Sequence, residues 1–199
     1  MNTHAYSTWL EVDLGAIKNN IQQIKRLTRT EVMAVIKANG YGHGVLEVAR
    51  AATEAGATWC GVARMEEALN LRAAGLTSEI MVLGYTPPAL VPEAIKNKIH
   101  VAIYDVEMAR AYAAQARRAE GRLQAHLKIE TGMGRLGMSP DKAPGFLADT
   151  QNHDRMDITG IFTHFARADE PKSGATEAQL SIFNQLLQDL KKALLLPGM

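Results

Sequence analysis

The chain has 199 residues, of which 47% are hydrophobic and 22% charged, and its net charge is 22 − 21 = +1. These are values of a globular protein, and they give no electrostatic footprint for nucleic acid or for a strongly charged partner. The one cysteine, Cys60, excludes an internal disulfide, and Met1–Ser7 lacks the apolar core of a signal peptide, so the chain reads as cytoplasmic, with no apolar run of membrane-span length.

In chain order, residues 8–12 alternate and predict a strand. Asp13 then serves as N-cap for a helix over 14–28, in which Leu14, Ile17, Ile21, Ile24 and Leu27 recur at helical spacing. The apolar run 32–37 predicts a buried strand ending on Lys37, after which Gly40, Gly42 and Gly44 interleave with Tyr41 and His43. A helix over 45–55 closes at Gly56. Cys60, in the short apolar strand 59–63, reads as a buried, inert thiol. A helix over 64–74 is stopped by Gly75, and strand 80–83 is punctuated by Gly84-Tyr85-Thr86-Pro87-Pro88. Pro92 limits a helix over 88–98 to an early-turn start or a kink. Strand 101–104 precedes an alanine-rich helix capped by Asp105 and closed by Gly121. Strand 123–129 opens into the glycine-rich loop 131–137. Ser139-Pro140 opens a helix reaching 150, strand 158–162 ends near His164, and a long amphipathic helix occupies 174–195.

Past residue 30, strand and helix alternate without exception, with strand starts near 32, 59, 80, 101, 123 and 158. Most intervals fit one strand and one helix with short loops, which makes a parallel sheet of βα units. No G-x-G-x-x-G follows the first of them, so a dinucleotide-binding doubly wound sheet loses support and a (β/α)8 TIM barrel leads. Six barrel strands are present, and a complete barrel takes about 250 residues. The expectation is an incomplete barrel, the first part of a longer protein, with a seventh strand due near Leu194-Leu195-Leu196-Pro197-Gly198-Met199.

In such a barrel the carboxyl ends of the strands carry the chemistry. Here they supply Lys37 and Tyr41, Leu83 and Tyr85, Lys128, Glu130 and Arg135, then Thr163, His164 and Asp169. His164 has no ligand cluster around it, so no metal is expected, and no serine or cysteine stands beside it as a nucleophile. A lysine desolvated by an apolar strand can offer a neutral amine for Schiff-base chemistry. Taken alone, Lys37 reads better as a solvated charge in a tight turn, since single lysines at strand ends are common. A lysine followed by a glycine-rich, phosphate-type turn suits pyridoxal phosphate.

Three motifs stand at these strand ends: Ala34-Val35-Ile36-Lys37-Ala38-Asn39-Gly40-Tyr41-Gly42-His43-Gly44, Leu127-Lys128-Ile129-Glu130-Thr131-Gly132-Met133-Gly134-Arg135-Leu136-Gly137, and Gly160-Ile161-Phe162-Thr163-His164-Phe165-Ala166-Arg167-Ala168-Asp169-Glu170. With Trp9-Leu10-Glu11-Val12-Asp13-Leu14 and the paired Asn19 and Asn20, they resemble the alanine racemase family, the fold-type III enzymes that use pyridoxal 5′-phosphate. The resemblance runs over essentially the whole chain. It implies that Lys37 holds the cofactor covalently and is the base that works on the D-enantiomer. It implies that Tyr41 bonds the cofactor phosphate and that Leu83 is a further cofactor contact. Arg135 lies near the cofactor's phenolic oxygen and the substrate carboxylate, and His164 packs on the pyridine ring. Lys128 matches a lysine that is often carbamylated and bonded to that arginine; the plainer alternative is a strand-end lysine paired with Glu130. His43 reads as a structural turn residue, Asp169 and Glu170 as helix caps, and Met133 and Met138 as packing.

The implied reaction interconverts L- and D-alanine, the D-form feeding peptidoglycan, by removal of the α-proton and its return from the opposite face. In the family the second base is a tyrosine of a C-terminal β-domain, given by the partner subunit of a homodimer. The strand at 8–12 belongs with that domain, so residues 1–13 and 14–199 read as separate parts. Residues 1–199 alone are therefore expected not to racemise. The implied partner is a small-molecule amino acid, with no nucleic acid and no membrane. A serine or broad-specificity racemase, and a non-catalytic pyridoxal-phosphate barrel, are the alternatives.

Overall fold

The computed structural model describes residues 7–150, 155–170 and 172–196. After helix α1 (Leu14–Thr28) come β1 (Met33–Val35), α2 (Val45–Glu54), β2 (Trp59–Val62), α3 (Met65–Ala73), β3 (Glu79–Val82), α4 (Val91–Lys96), β4 (Ile99–Ile103), α5 (Val106–Arg118), β5 (Leu123–Lys128), α6 (Ala143–Thr150), β6 (Met156–Phe162) and α7 (Ala175–Lys192). The strands form one sheet in the order β1-β2-β3-β4-β5-β6, and every neighbouring pair is parallel. Each strand reaches the next through a helical crossover, so all six carboxyl ends share one edge. This is the βα arrangement of an incomplete barrel, with β1 and β6 at the two ends of the sheet.

Burial follows the two-residue period of the strands. Cys60, Val62, Ile80, Val82, Val101, Ile103, Ala125 and Leu127 are buried in a core shared with Met65, Leu71, Val91, Tyr112, Leu186 and Leu190 of the helices. Alternate residues, among them Trp59, Met81, His100, His126 and Lys128, point to the other face, which is the barrel interior. The helices carry alanine where they meet the strands, as at Ala49, Ala68, Ala94, Ala109 and Ala116, and these small side chains let helix and sheet approach closely. Asp13 and Asp105 cap α1 and α5 as the sequence predicts, each accepting a 3.0 Å bond, from Ala16 N and Met108 N. No helix among the described residues is long and apolar enough to cross a membrane.

Pairing continues one residue past the strands. Ile36 N donates to Gly61 O, Leu83 N to Val62 O and Ile129 N to Phe162 O, each at 2.8 Å. These bonds fix Lys37, Leu83 and Lys128 at the carboxyl edge. Between β5 and β6 the register shifts: Ile158 faces Ala125 and Gly160 faces His126, which leaves Thr159 as the extra residue of a bulge.

Several local expectations differ. Residues 8–12 form no strand, and Trp9 and Leu10 are 60% and 75% exposed. Alternation gives a strand only where a neighbour supplies the hydrogen bonds, and among the described residues no strand lies alongside. Residues 1–6 of that segment and residues 197–199 of the expected seventh strand lie outside the described residues. The helix expected from Ser139 starts at Ala143, because Ser139 Oγ pairs with Asp141 and the chain first makes a turn, with Lys142 N and Ala143 N donating to Ser139 O and Pro140 O. The helix expected over 88–98 is a 3₁₀ turn, Pro88–Leu90, running into α4, with Pro92 in the first turn where its missing N–H costs nothing. Glu170 caps no helix: it pairs with Arg167, and Ser173 Oγ accepts from Ala175 N at the start of α7.

Candidate active site

Lys37 follows β1 and opens a left-handed helical turn. Ala38, Asn39, Gly40 and Tyr41 have φ of +52°, +56°, +62° and +53°. Glycine and asparagine accept this conformation readily; for Ala38 and Tyr41 it costs about 1–3 kcal/mol each. The turn is held by bonds from Gly40 N to Ile36 O (2.9 Å) and from Gly42 N to Ala38 O (3.1 Å). Asn39 Oδ1 accepts from Val45 N at the start of α2 (3.0 Å). The Ala38 N–H donates to Glu67 Oε1 at 2.7 Å. His43 has the structural part the sequence gives it, its Nδ1 lying 3.0 and 3.1 Å from the carbonyls of Gly40 and Tyr41, so that the ring is the donor.

The second motif is a loop organised by Glu130. Its carboxylate accepts from Gly132 N (2.5 Å), Gly134 N (2.9 Å) and Arg135 N (3.2 Å). Burial alone would raise the Glu130 pKa, but these amides outweigh it and hold the group below the ordinary carboxylate value. Glu130 is therefore turned to the loop backbone and forms no ion pair with Lys128. Lys128 is only 5% exposed. Its pKa is lowered, first by burial and then by the Arg135 and Lys37 charges, against an opposing contribution from Glu130. Its Nζ lies 5.4 Å from the centre of the Phe162 ring.

The third motif is tied to the second through α7. Gln179, 3% exposed, donates from Nε2 to Thr131 Oγ1 and to His164 O, both at 3.0 Å, and accepts from Ala166 N at 2.8 Å. Thr131 and Thr163 are joined through their hydroxyls at 2.8 Å, and Thr163 also donates to Ile129 O. The His164 pKa is lowered by partial burial and by Arg135, Lys128 and Lys37, so the ring is held neutral.

One cavity of about 310 Å³ gathers Lys37, Tyr41, Leu83, Lys128, Arg135 and His164. All six sequence-derived site residues therefore face the same space. Its remaining walls are largely apolar, with Met33, Val35, Ala63, Leu136 and Phe162. Lys37 Nζ lies 5.8 Å from the Tyr41 ring centre. Three cations, Lys37, Lys128 and Arg135, meet here, and among the described residues none of them is in an ion pair. A buried lysine without a counter-charge is costly. The cavity thus suits a flat aromatic ligand carrying anionic groups, with an amine placed for Schiff-base chemistry, and pyridoxal phosphate fits each of these features. No group of three metal-ligating side chains occurs among the described residues. Glu67 and Gln179 escape the sequence reading, and Thr131, though inside the second motif, is given no part there, because the bonds from Glu67 to Ala38, from Gln179 to His164 and from Thr131 to Thr163 join segments remote in sequence.

Residues 12–199 match the family model described as "Alanine racemase, N-terminal domain". The alanine racemase of Symbiobacterium thermophilum is 42% identical over 187 residues, covering 94% of this chain and 50% of the relative. Among solved structures, the alanine racemase of Bacillus anthracis with bound L-Ala-P superposes with a TM-score of 0.86 at 37% identity, covering 93% of this chain and 48% of that one. A histidine racemase from Leuconostoc mesenteroides subsp. sake superposes with a TM-score of 0.82 at 34% identity, covering 87% and 47%. The chain spans about half the length of the curated relatives it matches.

Proposed function

Because this chain belongs to the alanine racemase family, we propose that it supplies the cofactor-binding half of a pyridoxal-phosphate-dependent amino-acid racemase, with alanine as substrate. The observation that carries the reading is the convergence of Lys37, Arg135 and Lys128, unpaired, on one largely apolar cavity with Tyr41 and His164. When bound, the cofactor supplies an electron-poor ring that accommodates the electron pair left as the α-proton departs.

Lys37 is the covalent anchor. When it is not bonded to the cofactor, Lys37 Nζ would take or return the α-proton on one face of the substrate carbon. Arg135, which lines the cavity, would bind the substrate carboxylate and the cofactor's phenolic oxygen. Tyr41 donates to the phosphate. His164 would pack against the ring, and Leu83 would contact it from the apolar wall. A base on the opposite face is required for the reverse enantiomer. In this reading it is a tyrosine of a C-terminal β-domain, presented by the partner subunit of a homodimer, and residues 8–12 pair with that domain. Lys128 reacts with CO2 to give an N-carboxylate and a proton. Its lowered pKa favours the neutral amine that this needs, and the modified group converts repulsion from Arg135 into an ion pair. The enzyme works in the cytoplasm, and its D-alanine feeds peptidoglycan.

Adding pyridoxal phosphate, reducing with borohydride and mapping the labelled peptide tests this directly. The label is expected on Lys37. Labelling at another lysine, or none, would overturn the assignment.

A further inference from the structure

We propose that Glu67 is the positioning residue for Lys37, its carboxylate holding the left-handed turn that aims the lysine into the cavity; the part concerning the lysine's reactivity rests on the cofactor reading above. Glu67 is in the first turn of α3, one βα unit away from Lys37. Its Oε1 accepts from Ala38 N at 2.7 Å, and its Oε2 accepts from Ala63 N at 2.7 Å and from Arg64 N at 3.0 Å. The two oxygens thus bridge the carboxyl ends of β1 and β2 through backbone amides. Ala63 itself lines the cavity.

The place of the first bond matters. Ala38 is the residue next to Lys37 and the first of the four with positive φ. An alanine reaches φ +52° only under constraint. The bond from Gly40 N to Ile36 O spans the turn, and those through Asn39 and Gly42 secure its far end, but none of them holds the Ala38 N–H. Glu67 holds that N–H, in the Lys37–Ala38 peptide that sets where the lysine leaves the backbone. Without that acceptor Ala38 relaxes toward right-handed φ, and the Lys37 side chain swings with it. A carboxylate is needed because both oxygens accept. The amide of a glutamine at this place accepts on one side and presents N–H to N–H on the other.

The test compares Glu67→Ala and Glu67→Gln with the parent protein, and uses Asp105→Ala as a control. Asp105 caps α5 by accepting from Met108 N, away from the Lys37 cavity, so its loss weakens the fold without touching the turn. The first readout is the pyridoxal phosphate concentration giving half-maximal borohydride trapping on Lys37. The second is amide hydrogen exchange over residues 38–42, which needs no cofactor. A charge-assisted bond of this kind predicts that Glu67→Ala raises the half-trapping concentration about tenfold and speeds exchange about tenfold, with Glu67→Gln between it and the parent. Asp105→Ala is expected to leave both unchanged. Unchanged exchange over 38–42 in Glu67→Ala, or equal losses in Asp105→Ala, would overturn the proposal. If the parent carries no label on Lys37, the cofactor reading fails, and the exchange measurement still decides whether Glu67 holds the turn.

Discussion

The ring of His126 packs edge-on to Trp59 and His100, with centroids 5.4 and 5.2 Å away, and its Nε2 is buried without a hydrogen-bond partner. Gly160 closes a third side: a Cβ there would stand 2.7 Å from His126 Nδ1. A proton on this ring would be a buried charge beside a second imidazole, and burial followed by His100 pushes the His126 pKa down from 6.5 to about 4. His100 is lowered in the same direction by burial, against the opposing carboxylate of Glu79, 3.3 Å from its Nε2. The folded state keeps His126 neutral, while the unfolded chain binds a proton below pH 6.5. Between those two values the unfolded state holds more protons, so stability is lost as pH falls through that window and levels off beneath it. For His126 alone the loss from pH 6.5 to 4 comes to about 3 kcal/mol. Urea unfolding followed across this range in the parent and in His126→Phe measures it. The parent is expected to show the decline, and the phenylalanine variant, which fits the aromatic cluster without titrating, a flatter profile.

At the scale of an element, the loop 131–137 shows how a glycine-rich stretch becomes a fixed arm for Arg135. Glu130 gathers the loop amides on one side. On the other, Glu130 N donates to Met138 O and Met138 N to Lys128 O, at 2.9 and 2.8 Å, so the chain returns alongside its own strand. Gly137 is where it comes back. Its φ is +147°, and a Cβ would lie 2.5 Å from Glu130 N and 2.8 Å from Ile129 C, both backbone atoms that cannot yield. Gly137→Ala is thus expected to break the Ile129–Met138 bridge at a cost of about 2–4 kcal/mol. Hydrogen exchange should rise at Met138 and over residues 130–135 more than in β3. A variant with native exchange in this loop would contradict the account. The sequence reading placed Arg135 in a glycine-rich loop correctly. Its plainer alternative for Lys128, a pair with Glu130, is not what forms, because charge and spacing are visible in a sequence whereas the amides of a folded loop are not.

At the scale of the molecule, legibility divides along the same line. The six strands and their order come from apolar runs and a repeated interval, and strand ends of a βα sheet must share one edge, so the sequence itself puts Lys37, Leu83, Lys128, Arg135 and His164 at one edge, where they line one cavity. The left-handed turn at 38–41, the bulge at Thr159 and the Gln179 clamp depend on contacts between distant segments, which local pattern does not encode. Residues 8–12 fail for the matching reason, since their alternation needs a partner strand. The same physics bears on residues 1–199 as an isolated piece. Among the described residues the sheet runs from β1 to β6 without closing, so both end strands present unpaired backbone groups, and Val35 on β1 is 41% exposed. Parallel sheets ordinarily have both faces covered and tolerate open edges poorly. In the interior face, His100 Nδ1 and His126 Nε2 also lack partners among the described residues. A piece with two open parallel edges gains by pairing with a second copy. Residues 1–199 alone are therefore expected to self-associate at micromolar concentration, with a sedimentation coefficient that rises with loading. A monomer at every concentration, unfolding in one cooperative transition, would show that the six-stranded sheet protects its own edges.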